Sequence, residues 1–174
     1  MKFANRINRN GFTIIELLMA LVIMATLMAA VGLAFDASVK NYQANEGIYK
    51  TLNTARQALL RMTTDLRTAN IVATEADDSP DQNSQISLIT SNGDDITYRF
   101  DSSDNTLYYV DNSTGSSYTL CKNVTAMTLN RTIVPGSSPV DIRSVRIILT
   151  VTDDIDNPKV TQTLATGTVV RKNQ

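Results

Sequence analysis

Apolar and polar positions divide the chain into three stretches with different periods. From Leu17 to Phe35 there is no polar rhythm, because Leu, Met, Ala and Val fill the segment and no charge occurs in it. About 20 such residues suffice for a helix to cross a bilayer. After Asp36 polar residues return, and apolar ones recur three or four apart at Ile48, Leu52, Ala55, Leu59, Met62, Leu66 and Ala69. That spacing predicts one apolar stripe on a helix. No proline lies between Phe12 and Ile71, so a single helix can run through both stretches, with Gly32 and Gly47 as its soft points.

From Glu75 onward the period falls to two. Ile86, Leu88 and Thr90 begin a strand, and Asn92-Gly93 signals a tight turn. Ile96, Tyr98 and Phe100 then face one way while Thr97, Arg99 and Asp101 face the other. Further strands are expected around Leu107–Val110, Tyr118–Leu120, Val124–Asn130, Val145–Val151 and Val160–Val170. Short polar turns between them imply an antiparallel sheet. A helix stripe and a half-covered sheet each need a partner, and packing one on the other gives an α+β fold.

Composition narrows the chemistry. The 174 residues contain no histidine, which excludes histidine-based triads and metal sites. The single cysteine, Cys121, has no partner in its own chain and reads as a small buried apolar residue. A net charge of -1 carries no nucleic-acid footprint. The acidic groups Glu75-Ala76-Asp77-Asp78 with Asp81, Asp94-Asp95, and Asp153-Asp154 with Asp156 lack the spacing of a calcium loop and read as solvated turns. No enzyme, cofactor or metal site is expected.

Lys2, Arg6 and Arg9 precede the apolar run without an acid among them, which places the N-terminus in the cytoplasm and the chain beyond about residue 36 outside. Two processing schemes compete for the segment. A secretory signal would be cut at the small-x-small site Gly32-Leu33-Ala34, releasing a soluble binding domain from Phe35. An unprocessed span would instead anchor such a domain. Glu16, at the beginning of the run, has no role in either scheme.

The residues Asn10-Gly11-Phe12-Thr13-Ile14-Ile15-Glu16-Leu17-Leu18 resemble the class III signal of type IV prepilins and type II secretion pseudopilins. The resemblance implies a basic leader, 1–11, that a prepilin peptidase removes after Gly11 before methylating the new amine of Phe12. It implies an assembly/transmembrane helix, 12–35, an amphipathic continuation, 36–72, and a pilin-like sheet domain, 73–174. By the same resemblance Glu16 is the assembly glutamate. A buried cation and carboxylate need each other, so Glu16 of one subunit would pair with the Phe12 amine of its neighbour. The expected partners are other pilin or pseudopilin subunits, the prepilin peptidase, the inner-membrane assembly platform and the lipid bilayer, but no nucleic acid. The expected place is the inner membrane, then a pilus or pseudopilus.

Ala55-Arg56 through Asp65-Leu66-Arg67, Ile96–Phe100 and Thr106–Tyr109 look more loosely like W-type minor pilins and J-type pseudopilins, which prime or cap filaments. Leu33 stands where many major pilins have a proline, and their C-terminal cysteine pair is missing. Both departures point to a minor subunit.

Overall fold

A computed structural model describes residues 11–137, 141–158 and 160–171. One helix, α1, runs over Ile14–Thr68 and is followed by eight strands. These are β1 (Ile71–Val72), β2 (Gln85–Ile89), β3 (Asp95–Asp101), β4 (Thr106–Asp111), β5 (Ser116–Cys121), β6 (Val124–Ile133), β7 (Ile142–Thr152) and β8 (Thr161–Val169). The chain divides into two compact units, up to Gln43 and from Ala44 onward.

The first unit is the apolar half of α1. Its large side chains are exposed on every side, among them Leu17, Leu21, Leu27 and Leu33. A helix that is apolar all round belongs in a membrane or among other helices. By length and composition this helix can cross a bilayer.

The second unit begins in the same helix but keeps the expected one-sided stripe. Ile48, Ala55, Leu59, Met62, Leu66 and Ala69 are buried, joined by Ala58, and Leu52 packs against them. The helix ends at Thr68, short of the expected 72. Asn70 N–H donates to the Ile89 carbonyl at 2.9 Å, and Ile71 and Val72 pair with Ile89 and Leu88. Sheet pairing thus captures the apolar pair Ile71-Val72 that the helical pattern had claimed. At the helix end, Arg171 N–H donates to the Arg67 carbonyl at 3.0 Å, satisfying one of the carbonyls a helix terminus leaves open.

The strands are antiparallel as expected, but they form two sheets instead of one. Strands β1 to β5 make a meander in sequence order, and β6, β7 and β8 make a second sheet in sequence order. Between β5 and β6 stands Asn123 with φ of 59°, a left-handed conformation that asparagine tolerates better than most residues. Its carbonyl accepts from Thr152 N–H at 3.0 Å, and Val124 N–H donates to Asn105 at 2.9 Å. The chain therefore leaves β5 and pairs β6 with β7. The Asn92-Gly93 turn joins β2 to β3, with Gly93 at a φ of 91° that excludes most side chains.

One apolar core serves the helix stripe and both sheets. Met62 and Leu66 meet Ile86, Tyr98 and Leu107 of the first sheet and Leu129, Ile147 and Leu149 of the second. Polar contacts set the helix against both. Tyr98 OH donates to Asp65 Oδ2 at 2.5 Å, and Thr168 Oγ1 donates to the Thr63 carbonyl at 3.3 Å. Arg61 stacks over the Tyr109 ring at 4.1 Å, and Tyr109 meets Tyr98 edge to face. Cys121 is buried, as expected; burial raises its thiol above the ordinary range, and Thr54 at 3.5 Å opposes that in part.

The reading of Glu75–Asp81 as a solvated turn fails at one residue. Asp78 is 2% exposed and pairs at 2.6 Å with Arg131 of β6, whose side chain is 1% exposed. Arg131 also donates to the carbonyls of Gln82 at 2.6 Å and Gln85 at 2.9 Å. Burial pulls Arg131 below the ordinary arginine range, while Asp78 and Glu75 oppose that shift. Ser87 donates to Asp78 Oδ1 at 2.8 Å and meets the Thr97 hydroxyl at 2.9 Å. Thr97, expected on the solvent face of β3, is therefore buried. The neighbours of Asp78 in the cluster, Asp77 and Asp81, are exposed, as the turn reading requires.

Candidate functional site

The residues singled out for processing and assembly lie at the beginning of α1. Of the expected leader 1–11, only Gly11 falls within the described residues. Among the described residues nothing packs against Gly11 within 4 Å, and Phe12 is 91% exposed. The peptide bond after Gly11 therefore lies in open chain just ahead of the helix.

Thr13 and Glu16 are brought together by the helix start. Glu16 Oε2 accepts from Thr13 N–H at 2.9 Å and from Thr13 Oγ1 at 2.9 Å, while Glu16 N–H donates to Thr13 Oγ1 at 3.3 Å. This is a reciprocal capping box, in which the first and fourth residues satisfy backbone donors that the first turn leaves open. The carboxylate also lies at the positive end of the helix dipole. Among the described residues only Oε2 is engaged in this way, and Oε1 has no hydrogen-bond partner. One carboxylate oxygen thus holds the helix start, and the side chain is exposed.

The cap is a role for Glu16 that the sequence reading missed, although its signal was present. Thr13-Ile14-Ile15-Glu16 is a Ser/Thr-x-x-Glu pattern ahead of an apolar run. The arrangement recurs at Thr74 and Asp77, where Asp77 Oδ2 accepts from Thr74 N–H at 2.9 Å and from its hydroxyl at 2.8 Å. Those bonds hold the Asp77 carboxyl below its ordinary range. Thr74-Glu75-Ala76-Asp77 opens a turn, whereas Thr13–Glu16 opens a helix, because only the latter is followed by residues that sustain one.

The fold and this site define a class: an α+β protein whose long helix opens on a Thr13–Glu16 capping box and continues as an apolar segment exposed on every side. A family model, the prokaryotic N-terminal methylation motif, matches residues 6–32. That motif is the signature of type IV pilins and pseudopilins, and this chain carries it. Proteins with the motif are structural; they assemble with other pilin subunits and are processed by prepilin peptidase. The motif and the apolar helix together point to anchoring in the inner membrane. No curated protein and no solved structure matches the chain.

Among the described residues no group of three or more His, Cys, Asp or Glu side chains could hold a metal ion.

Proposed function

We propose that this chain is a minor pilin or pseudopilin, a structural subunit that waits in the inner membrane and is built into a filament where it primes or caps assembly. Prepilin peptidase cuts after Gly11 and methylates the amine of Phe12. The processed helix then leaves the bilayer for a bundle of like helices, in which its apolar surface is covered on all sides. The observation that carries this reading is the methylation motif over residues 6–32, which sets Glu16 at the start of an exposed apolar helix. A neighbour's Phe12 ammonium pairs with the Glu16 carboxylate, and burying that pair in the bundle sets the axial register. The loose likeness to W-type and J-type subunits supports the minor role.

Mass spectrometry of the N-terminal peptide from native membranes tests the processing. The expected chain begins at Phe12 and is heavier by one methyl group. A start at Phe35 would make this a secreted domain, and an intact Met1 in cells holding the peptidase would make it a plain anchor. Glu16→Ala tests the pairing: incorporation into sheared filaments should fall roughly tenfold or more, since one partner of a buried pair is then missing. Unchanged incorporation would remove Glu16 from the mechanism.

A further inference from the structure

The second sheet ends on a strand that lacks the usual protection of an edge. Strand β8 has nine residues, Thr-Gln-Thr-Leu-Ala-Thr-Gly-Thr-Val, with no charge and no proline. It pairs with β7 in unbroken register from Thr161↔Thr152 to Val169↔Ser144. Native edge strands are normally blunted by charge, proline, a bulge or shortness. The other edges show such devices: β1 has two residues, β5 is paired across a bulge, and β6 carries register shifts.

The direction of the open backbone groups follows from the ladder. The Val160 carbonyl accepts from Asp153 and the Val170 N–H donates to Arg143, so even-numbered residues turn toward β7. In an antiparallel ladder the alternate residues turn away. Thr161, Thr163, Ala165, Gly167 and Val169 therefore present their N–H and C=O groups outward, and all are exposed. Among the described residues no backbone hydrogen bond satisfies these groups.

Beside this edge the helix overhangs. Leu60 of α1 is 69% exposed and, with Arg56, lines a cleft against Leu164 and Thr166 of β8. On the other face of the sheet, Arg146 lies in a trough floored by Gly167. Each groove thus holds an arginine, and no carboxylate lines either one.

We propose that the open edge of β8 receives an extended segment of a different polypeptide of the same assembly, carrying apolar residues toward Leu60, one carboxylate toward Arg56 on that face and another toward Arg146 on the opposite face. Main-chain bonds to the outward groups hold it, and side chains in the two grooves select it. A second copy of β8 does not fit that description, because β8 has no acid to offer either arginine. That the partner belongs to the same assembly rests on the filament reading; the open edge and its charge do not.

The test uses the full chain in native membranes, with a photo-reactive amino acid placed in turn at Thr161, Ala165 and Val169. The expected result is one adduct partner, with cross-linked positions stepping in order along one extended, acid-bearing segment. Arg56→Glu with Arg146→Glu, both at the surface, should lower adduct yield roughly tenfold while the thermal unfolding midpoint stays unchanged. Ala165→Pro removes an outward N–H that the β7 ladder does not use, and should abolish the adducts. No adduct, an adduct of two copies of this chain, unordered positions or indifference to the arginine changes would each overturn the proposal. The N-terminal mass from the same sample separates the two readings. Methylated Phe12 without adducts sinks only the edge site, while ordered adducts on a chain still beginning at Met1 sink only the filament.

Discussion

Leu21 and Leu66 are the same side chain on the same helix, yet Leu66 is fully buried and Leu21 is 55% exposed. Around Leu21 apolar residues occupy every direction, so no face of that helix can be left to water. Around Leu66 they form a single stripe, and both sheets cover it. The first half of the helix therefore depends on something outside the chain, a bilayer or neighbouring helices. The second half is completed by its own chain. A helix can thus be continuous in backbone and still change its environment, because side chains, not hydrogen bonds within the helix, decide where it is stable.

The sharpest way to probe that difference is at the part of the second unit least visible in sequence. Arg131→Ala leaves Asp78 buried without its ion-pair partner and should cost about 3–5 kcal/mol. It is read by denaturant unfolding of the full chain in detergent, and the transition of the sheet unit should move while helicity of the apolar segment persists. Leu66→Ala comes next, at about 2–5 kcal/mol for a fully buried leucine. Its counterpart Leu21→Ala should shift the same transition by less than about 0.5 kcal/mol. Equal effects of the two leucine changes would erase the distinction between the halves.

An effect smaller than that of Leu66→Ala belongs to the contact between helix and sheet. Tyr98→Phe removes the hydroxyl that donates to Asp65 and should cost about 1.5–3 kcal/mol, the range for a hydrogen bond to a charged group. Burial, then the Asp65 carboxylate, push the Tyr98 phenol above its ordinary range. The folded state therefore favours the neutral phenol. That stabilisation is complete below the ordinary tyrosine value of about 10 and is lost as pH rises above it toward the raised value. Absorbance titration should show one tyrosine ionising only as the protein unfolds in alkali, and Tyr98→Phe should remove that step.

Legibility in sequence tracked the physical origin of each feature. The apolar run, the stripe from Ile48 to Ala69 and the alternation from Val145 to Val151 are local patterns, and each took the predicted form. Gly11, Phe12 and Glu16 could be singled out because their spacing is a motif. The capping box at Thr13 was equally local and was overlooked in favour of the charge on Glu16. The Asp78–Arg131 pair was not legible, because Asp78 sits among acids that are exposed and its partner is 53 residues away. Thr97 was misplaced for the same reason, since only the segment folded over it removes it from water.

Composition and period along the chain determined that a membrane-compatible helix leads into an amphipathic one and then into antiparallel strands. Those are short-range consequences of which side chains water and lipid accept. Tertiary structure alone decided that the strands form two sheets, that Ile71 and Val72 leave the helix for β1, and that one aspartate of an acidic cluster is buried against an arginine. It also left β8 as an open edge. Each of these depends on which distant segments meet, and a residue's neighbours in sequence carry no record of that.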